Sequence, residues 1–347
     1  MPFLKKALSC LLCALLLSLF FLSKEGITSP NNKPLRVTLL LEHERTSIWN
    51  TLLIQGVQNA AKEFGLTCKI VIEEEEDKQE AVFQKEAKEA DVLLVATDRF
   101  HEILRDNARR FPSVLFACID AGIRGKNIRC ITFADEKASF LAGAAAALFT
   151  QKNRKTNQKE AAIGWISGED VAAMRSLFNG FQEGAKLAVP EIRVIQAVVG
   201  SFRGGKRARA EAQRLIQEGV TIIALAAGSG NEEILDEAKK AGIYVIGLDS
   251  DQKDSYPGHV LLSICKDIQG AVRTILRECA TGSFQGAEIE IYDLGHGLSV
   301  TKPSESLGWK NEVLSQIERR LAELSHELKN GGIRLKSLRQ KTLCNCL

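Results

Sequence analysis

The densest pair of carboxylates that follows an apolar run is Asp249-Ser250-Asp251-Gln252. Such a pair suits either proton transfer or the holding of hydroxyl groups, because one carboxylate accepts two or more O–H hydrogen bonds. The five histidines are scattered and none stands at metal-ligand spacing, so hydroxyl binding is the better reading. No catalytic residue, metal or cofactor is expected. A second candidate is Ala227-Gly228-Ser229-Gly230, a small-residue run between an apolar stretch and a helical one. It either offers backbone N–H groups to an oxygen-rich ligand or is simply a tight turn. The phosphate-loop, dinucleotide and nucleophile-elbow signatures are missing from the chain. Of the nine cysteines, Cys10 and Cys13 lie in an N-terminal apolar run. Cys68, Cys118, Cys130 and Cys265 fall in or beside expected buried strands, where the thiol acts as a small hydrophobe. Cys344 and Cys346 form a terminal C-x-C without the second cluster that a zinc site needs.

These groups need elements to position them. Apolar β-type runs at 36–41, 69–72, 92–96, 114–119 and 128–133 alternate with helical patterns at 48–64, 78–89 and 102–111. Runs such as VLLVAT and SVLFACI show no in/out alternation, which suits strands covered on both faces in a parallel sheet. The alternation then restarts, with strands expected at 161–167, 193–199, 221–226 and 244–247 and helices at 171–187, 206–217 and 232–241. Gly242 follows the last of these as a helix-ending glycine. The remainder offers a helix near 266–278, a strand near 288–292 and a long charged helix near 305–329. Two successive β-α series imply two doubly wound lobes, and open parallel sheets bind ligands at the carboxyl ends of their strands. Two such edges facing each other make a cleft that closes by hinge motion.

The chain of 347 residues is long enough for two domains, and its 45% hydrophobic and 26% charged content is that of a globular protein. A net charge of +3, from 46 basic and 43 acidic residues, gives no concentrated basic face for nucleic acid. Lys5 and Lys6 precede an apolar run from Ala7 to Leu22, the layout of an export signal, with an uncleaved anchor as the competing reading.

Several segments, taken in order, resemble one family. They are FADEKASFLAGAAAAL (133–148), IGWISG (163–168), FNGFQEGA (178–185), GSF (200–202), AAGSGN, IGLDSDQ (246–252) and LSICK (262–266). The resemblance is to the basic membrane protein (Bmp/PnrA-like) group of ABC-transporter substrate-binding proteins, which includes purine-nucleoside receptors. It implies a type I periplasmic-binding-protein fold, α/β, with two doubly wound Rossmann-like lobes joined by a three-crossing hinge. The expected division is 1–28 as signal or anchor, 35–133 with 262–290 as the N-terminal lobe, 134–261 with 291–335 as the C-terminal lobe, and 336–347 as a basic tail.

The resemblance also implies roles. Trp49 and Asn50, ahead of Gly56, match an aromatic-Asn pair that stacks on a purine base and bonds its edge. Phe202 matches the aromatic on the opposite face, and Asp120 a carboxylate that reads base nitrogens. Gly228, Asp249 and Lys266 match the ribose-binding set. Aromatic–base stacking is worth on the order of 1–3 kcal/mol per contact, and charge-assisted bonds hold the hydroxyls. The chain departs from the pattern at Thr46-Ser47-Ile48 and at Arg203, where an acidic residue is common. The expectation is an exported monomer that captures a nucleoside and hands it to the transmembrane subunits of an ABC permease. It binds no nucleic acid and makes or breaks no bond. The alternatives are a sugar or autoinducer receptor on the same fold, or a ligand-responsive regulator.

Overall fold

The computed structural model describes residues 33–42, 47–153 and 162–336. The N-terminal apolar run, Cys10, Cys13, Thr46, Cys344, Cys346 and nearly all of the basic tail lie outside the described residues. The first half runs β1 (Arg36–Leu41), α1 (Ile48–Phe64), β2 (Thr67–Ile72), α2 (Glu76–Glu89), β3 (Val92–Val95), α3 (Asp98–Asn107), β4 (Leu115–Ile119) and β5 (Ile128–Phe133). The second runs α4 (Asp135–Lys152), β6 (Ala162–Ser167), α5 (Ala172–Ala188), β7 (Arg193–Val198), α6 (Lys206–Gln217), β8 (Val220–Ala226), α7 (Asn231–Ala241) and β9 (Tyr244–Gly247). The chain then adds β10 (Val260–Lys266), α8 (Ile268–Thr281), β11 (Ile289–Leu294), β12 (Gly297–Val300) and α9 (Asn311–Lys329).

The sheet order is β2-β1-β3-β4-β5-β11-β12-β10-β9-β8-β6-β7, twelve strands among the described residues. Every strand pairing is parallel except β10 with β12. Each half is a doubly wound unit of the same strand order, and β12 splices the two. Strands β3 and β6 are buried at every position, because helices cover both faces, and this is why their sequences read as unbroken apolar runs. The chain passes between halves at Phe133–Asp135, Lys266–Ile268 and Leu294–Gly297, the three crossings that the resemblance implied. The fold is that of the type I periplasmic binding proteins.

Strand pairing moves the expected lobe boundaries. Residues 262–266 lie in β10, which pairs first with β9 and then with β12 and extends the second half, and 291–294 lie in β11 beside β5 in the first. Helix α8 therefore starts only at Ile268, where the Asp267 side chain caps it by accepting from Gly270 N. Cys68 also departs from expectation: it is exposed, because β2 is an edge strand with one ladder only.

Two of the segments that carry the resemblance, 133–148 and 178–185, pack on each other as α4 and α5. A Cβ on Gly143 would collide with the Phe181 backbone, and one on Gly184 with that of Phe140, so glycine permits the close helix crossing. That crossing holds the second half's core, including buried Trp165, Leu177 and Phe181, against the hinge.

Candidate ligand-binding site

Between the carboxyl ends of the two sets of strands lies a cavity of about 290 Å³. Trp49, Asn50, Asp120, Phe202, Gly228, Asp249 and Lys266 all line it. The structure thus brings together every site residue expected from the sequence, from six separate segments.

Trp49 and Asn50 sit in the first turn of α1. Ser47 caps that turn, its Oγ accepting from Asn50 N at 3.1 Å, and so fixes the angle at which both side chains leave the helix. Asn50 is buried and Trp49 half-buried, with the Lys266 ammonium 5.3 Å from the indole centroid. A cation at that distance from an aromatic face is attracted by the ring quadrupole. Asp120 follows β4 and Asp249 follows β9 with Leu248 between, and both adopt left-handed backbone with φ of 65° and 73°. Aspartate tolerates that region better than most residues, and the turn tips each carboxylate to the cavity.

Phe202 is held from behind. Its carbonyl accepts from Ser229 N at 3.0 Å and from Ser229 Oγ at 3.1 Å. Its ring lies so close to Gly168, at the end of β6, that a Cβ there would strike the ring. Gly228, with φ of 62°, opens a single 3₁₀ turn, Gly228–Gly230, over the Phe202 backbone, where a side chain would collide. The Asn231 side chain accepts from Ala227 N at 2.8 Å and fastens the other side of this turn.

Lys266, the last residue of β10, is the electrostatic centre. Its Nζ lies 3.1 Å from Asp120 Oδ2 and 2.9 and 3.0 Å from the two oxygens of Asp135. Burial disfavours the ammonium, but Asp120, Asp135 and Asp249 outweigh that cost and hold its pKa above the ordinary lysine range. Asp120 comes from the first half, Lys266 from the second and Asp135 from the first crossing, so this cluster ties the halves at the floor of the cleft. Asp135 is pushed up to about 7 by burial, with Lys266 opposing. Asp249 is pushed up to about 6, again chiefly by burial, and no hydrogen bond to its carboxylate occurs among the described residues.

Sequence reasoning did not single out Asp98, His101 or Asp135, nor Glu42 and Glu169. Asp98 and His101 stand on the first turns of α3, whose N-terminus Glu42 Oε1 caps by accepting from Arg99 N at 3.1 Å. Asp98 opens onto the cavity, yet desolvation first, then Asp120, Glu42 and Glu169, push it up to about 6. His101 is buried with Nε2 2.9 Å from the Ile119 carbonyl, and burial pushes its pKa down to about 4. Asp98, His101 and Asp120 form a wall shared with a second cavity of about 500 Å³, which extends toward Arg105, Asp170 and Arg175. Across the mouth, Arg203 Nη2 donates to the Glu74 carbonyl at 2.9 Å, while Nη1 lies 3.5 Å from its carboxylate. Asp135 falls within the segment 133–148 that carries the resemblance, so that signal was present; Asp98 and His101 carried none.

Among the described residues the arrangement offers hydrogen-bond acceptors, flat apolar surface and the enclosed Lys266 ammonium, with no nucleophile–base pair. Among the described residues no cluster of His, Cys, Asp and Glu is disposed to hold a metal ion. The model of the Bmp family, described as ABC transporter substrate-binding protein, PnrA-like, matches residues 45–326. This chain is a Bmp-family protein. Basic membrane protein A of Borreliella burgdorferi is 29% identical to it over 298 residues, covering 83% of this chain and 85% of the relative. The ABC transporter nucleoside-binding protein BmpA of Lactococcus lactis is 28% identical over 250 residues, 66% of each chain. An ABC transporter solute-binding protein from Aeropyrum pernix superposes with a TM-score of 0.77 at 21% identity, covering 87% of this chain and 93% of that one, which supports the fold. As a Bmp-family member the chain is a substrate-binding protein and not an enzyme, and its class works with a small-molecule ligand and an ABC permease.

Proposed function

We propose that this protein captures a nucleoside, with a purine base, in the cleft between its lobes and delivers it to an ABC permease at the outer face of the cytoplasmic membrane. The observation that carries this reading is the convergence of Trp49, Asn50, Asp120, Phe202, Gly228, Asp249 and Lys266 on one cavity of about 290 Å³. Trp49 and Phe202 supply flat faces for a heterocycle, Asn50 and Asp120 address its edge, and Asp249 takes the sugar hydroxyls. The Asp249 carboxylate, which has no hydrogen bond among the described residues, is suited to accept two ribose O–H groups. Closure of the halves on the ligand selects the surface that the permease reads, so binding energy sets the population of the delivering state. The charged start and apolar run of the first residues support export of the chain.

The test is a thermal-shift screen against nucleosides, free bases and sugars. At a hundredfold excess over Kd a true ligand adds about 2.7 kcal/mol, and D249N removes the response to nucleosides. A response to sugars with none to nucleosides overturns the reading. Fractionation of the tagged chain tests export separately, and recovery in the cytosol would refute it.

A further inference from the structure

Accepting the nucleoside reading, we propose that His101 is a specificity residue whose Nδ1 stands as a fixed acceptor beside Asp120, so that together they select a base edge with two neighbouring N–H donors, as guanine has.

The Ile119 carbonyl fixes the tautomer of the His101 ring. A carbonyl only accepts, so the imidazole nitrogen 2.9 Å from it, Nε2, must carry the proton. Burial keeps the ring from taking a second proton near neutral pH, since its pKa is pushed down to about 4. The neutral Nε2–H tautomer leaves Nδ1 as a lone-pair acceptor. The bond to Ile119 is the ring's one hydrogen bond among the described residues, and His101 lines both cavities of the cleft. The ring cannot turn over to present a donor without stripping the Ile119 carbonyl of its partner.

The neighbourhood shares this polarity. Asp120 is close enough to act on the His101 charge, and Asp98 lies one helical turn away on α3. Thr97 also lines the cavity, and its buried hydroxyl, without a hydrogen-bond partner among the described residues, can turn its lone pairs to a ligand donor. Of the cations around the cleft, Lys266 is directed to Asp120 and Asp135, and Arg105, one turn beyond His101 on α3, lines the second cavity only. A ligand edge placed here meets acceptors, so it must donate. Asp120 takes one N–H and His101 its neighbour. Guanine carries a ring N–H next to an exocyclic amine; hypoxanthine keeps only the first, and adenine offers its amine beside a ring acceptor.

Calorimetry on the whole exported chain, using guanosine, inosine and N2,N2-dimethylguanosine as probes, decides the matter. The unaltered protein should bind guanosine at least about tenfold more tightly than the other two, the scale of one buried polar group left unmatched. H101Q retains a donor at the position of Nε2, and so the bond to Ile119, but places no acceptor where Nδ1 stood. It should bring the guanosine-to-inosine ratio close to one while leaving the melting temperature of the unliganded protein nearly unchanged. Equal binding of guanosine and inosine by the unaltered protein overturns this assignment and leaves the nucleoside reading standing. A preference that survives in H101Q overturns it as well. Failure of every nucleoside to bind refutes the nucleoside reading and the assignment with it. Should H101Q fold poorly, equal binding of guanosine and inosine by the unaltered protein still overturns the assignment.

Discussion

Asp120 and Asp249 occupy corresponding places in the two lobes. Each follows the fourth strand of a doubly wound unit, β4 or β9, and each has its φ in the left-handed region. Their surroundings differ. Asp120 bonds the Lys266 ammonium at 3.1 Å, across the boundary between lobes. Asp249 stands beside the same lysine without a hydrogen bond to it and is left with a pKa of about 6. One backbone position has thus become a strut in the first lobe and a receptor in the second. The strut stabilises the closed arrangement with no ligand present. The receptor is a cost to the unliganded fold, which a ligand's hydroxyl groups offset.

Removing the shared cation should produce the largest effect. K266M leaves Asp120 and Asp135 buried without a counter-charge, and it should destabilise the protein by about 3–5 kcal/mol in urea unfolding at pH 7.5. The loss should shrink toward pH 5 as Asp135 takes up a proton. A loss below 1 kcal/mol would mean that solvent, and not protein, surrounds the cluster.

Next comes the contrast itself. Because the folded-state pKa of Asp249 lies above its ordinary 3.8, its favourable contribution is complete below that value and lost as the pH rises through about 6. D249N mimics the protonated form, so above pH 6 the unliganded variant should be more stable by about 1–2 kcal/mol, a figure reduced for solvent in the cavity. The gain should vanish below pH 4. D120N should move the other way, losing about 1–3 kcal/mol with its charged hydrogen bond. Same-sign shifts in a pair of thermal melts would erase the distinction between strut and receptor.

A gentler probe acts through Phe202. G168A puts a methyl group where the ring rests, so the ring must turn into the cavity. Affinity for the ligand found in the screen should fall about tenfold, about 1.4 kcal/mol, with less change in the unfolding midpoint. A large stability loss at unchanged affinity would show that Gly168 serves packing alone. The smallest effect is expected at the mouth. Arg203 and Glu74 are both half-exposed, so R203A should cost less than about 1 kcal/mol and be masked by salt. Its signature is a larger radius of gyration for the unliganded protein in X-ray scattering.

Much of this is legible in the order of the residues alone. Doubly covered strands such as VLLV announce themselves, and Asp120, Asp249 and Lys266 sit at strand ends where apolar runs stop. The seam is harder to read. Strand β10 ends in Ser263-Ile264-Cys265-Lys266 and β12 is only GLSV, so neither stands out from its surroundings. Which lobe owns β10 or β11 is decided by ladders to distant partners, and no local pattern encodes that. Asp98 and His101 are hidden for another reason. Acids in a helix's first turn are expected for the dipole alone, and a histidine among charged neighbours on α3 looks like surface. Only closure of the two sheets makes them a wall.

The splice between the lobes has a mechanical consequence. Strand β12 meets β11 through two residue pairs and β10 through three, the slenderest part of a sheet that otherwise runs from edge to edge. A ribbon so narrow twists readily but resists being stretched or slid. Relative motion of the lobes is thereby channelled into rotation about one line, and a solute entering the gap meets walls that can swing yet stay in register.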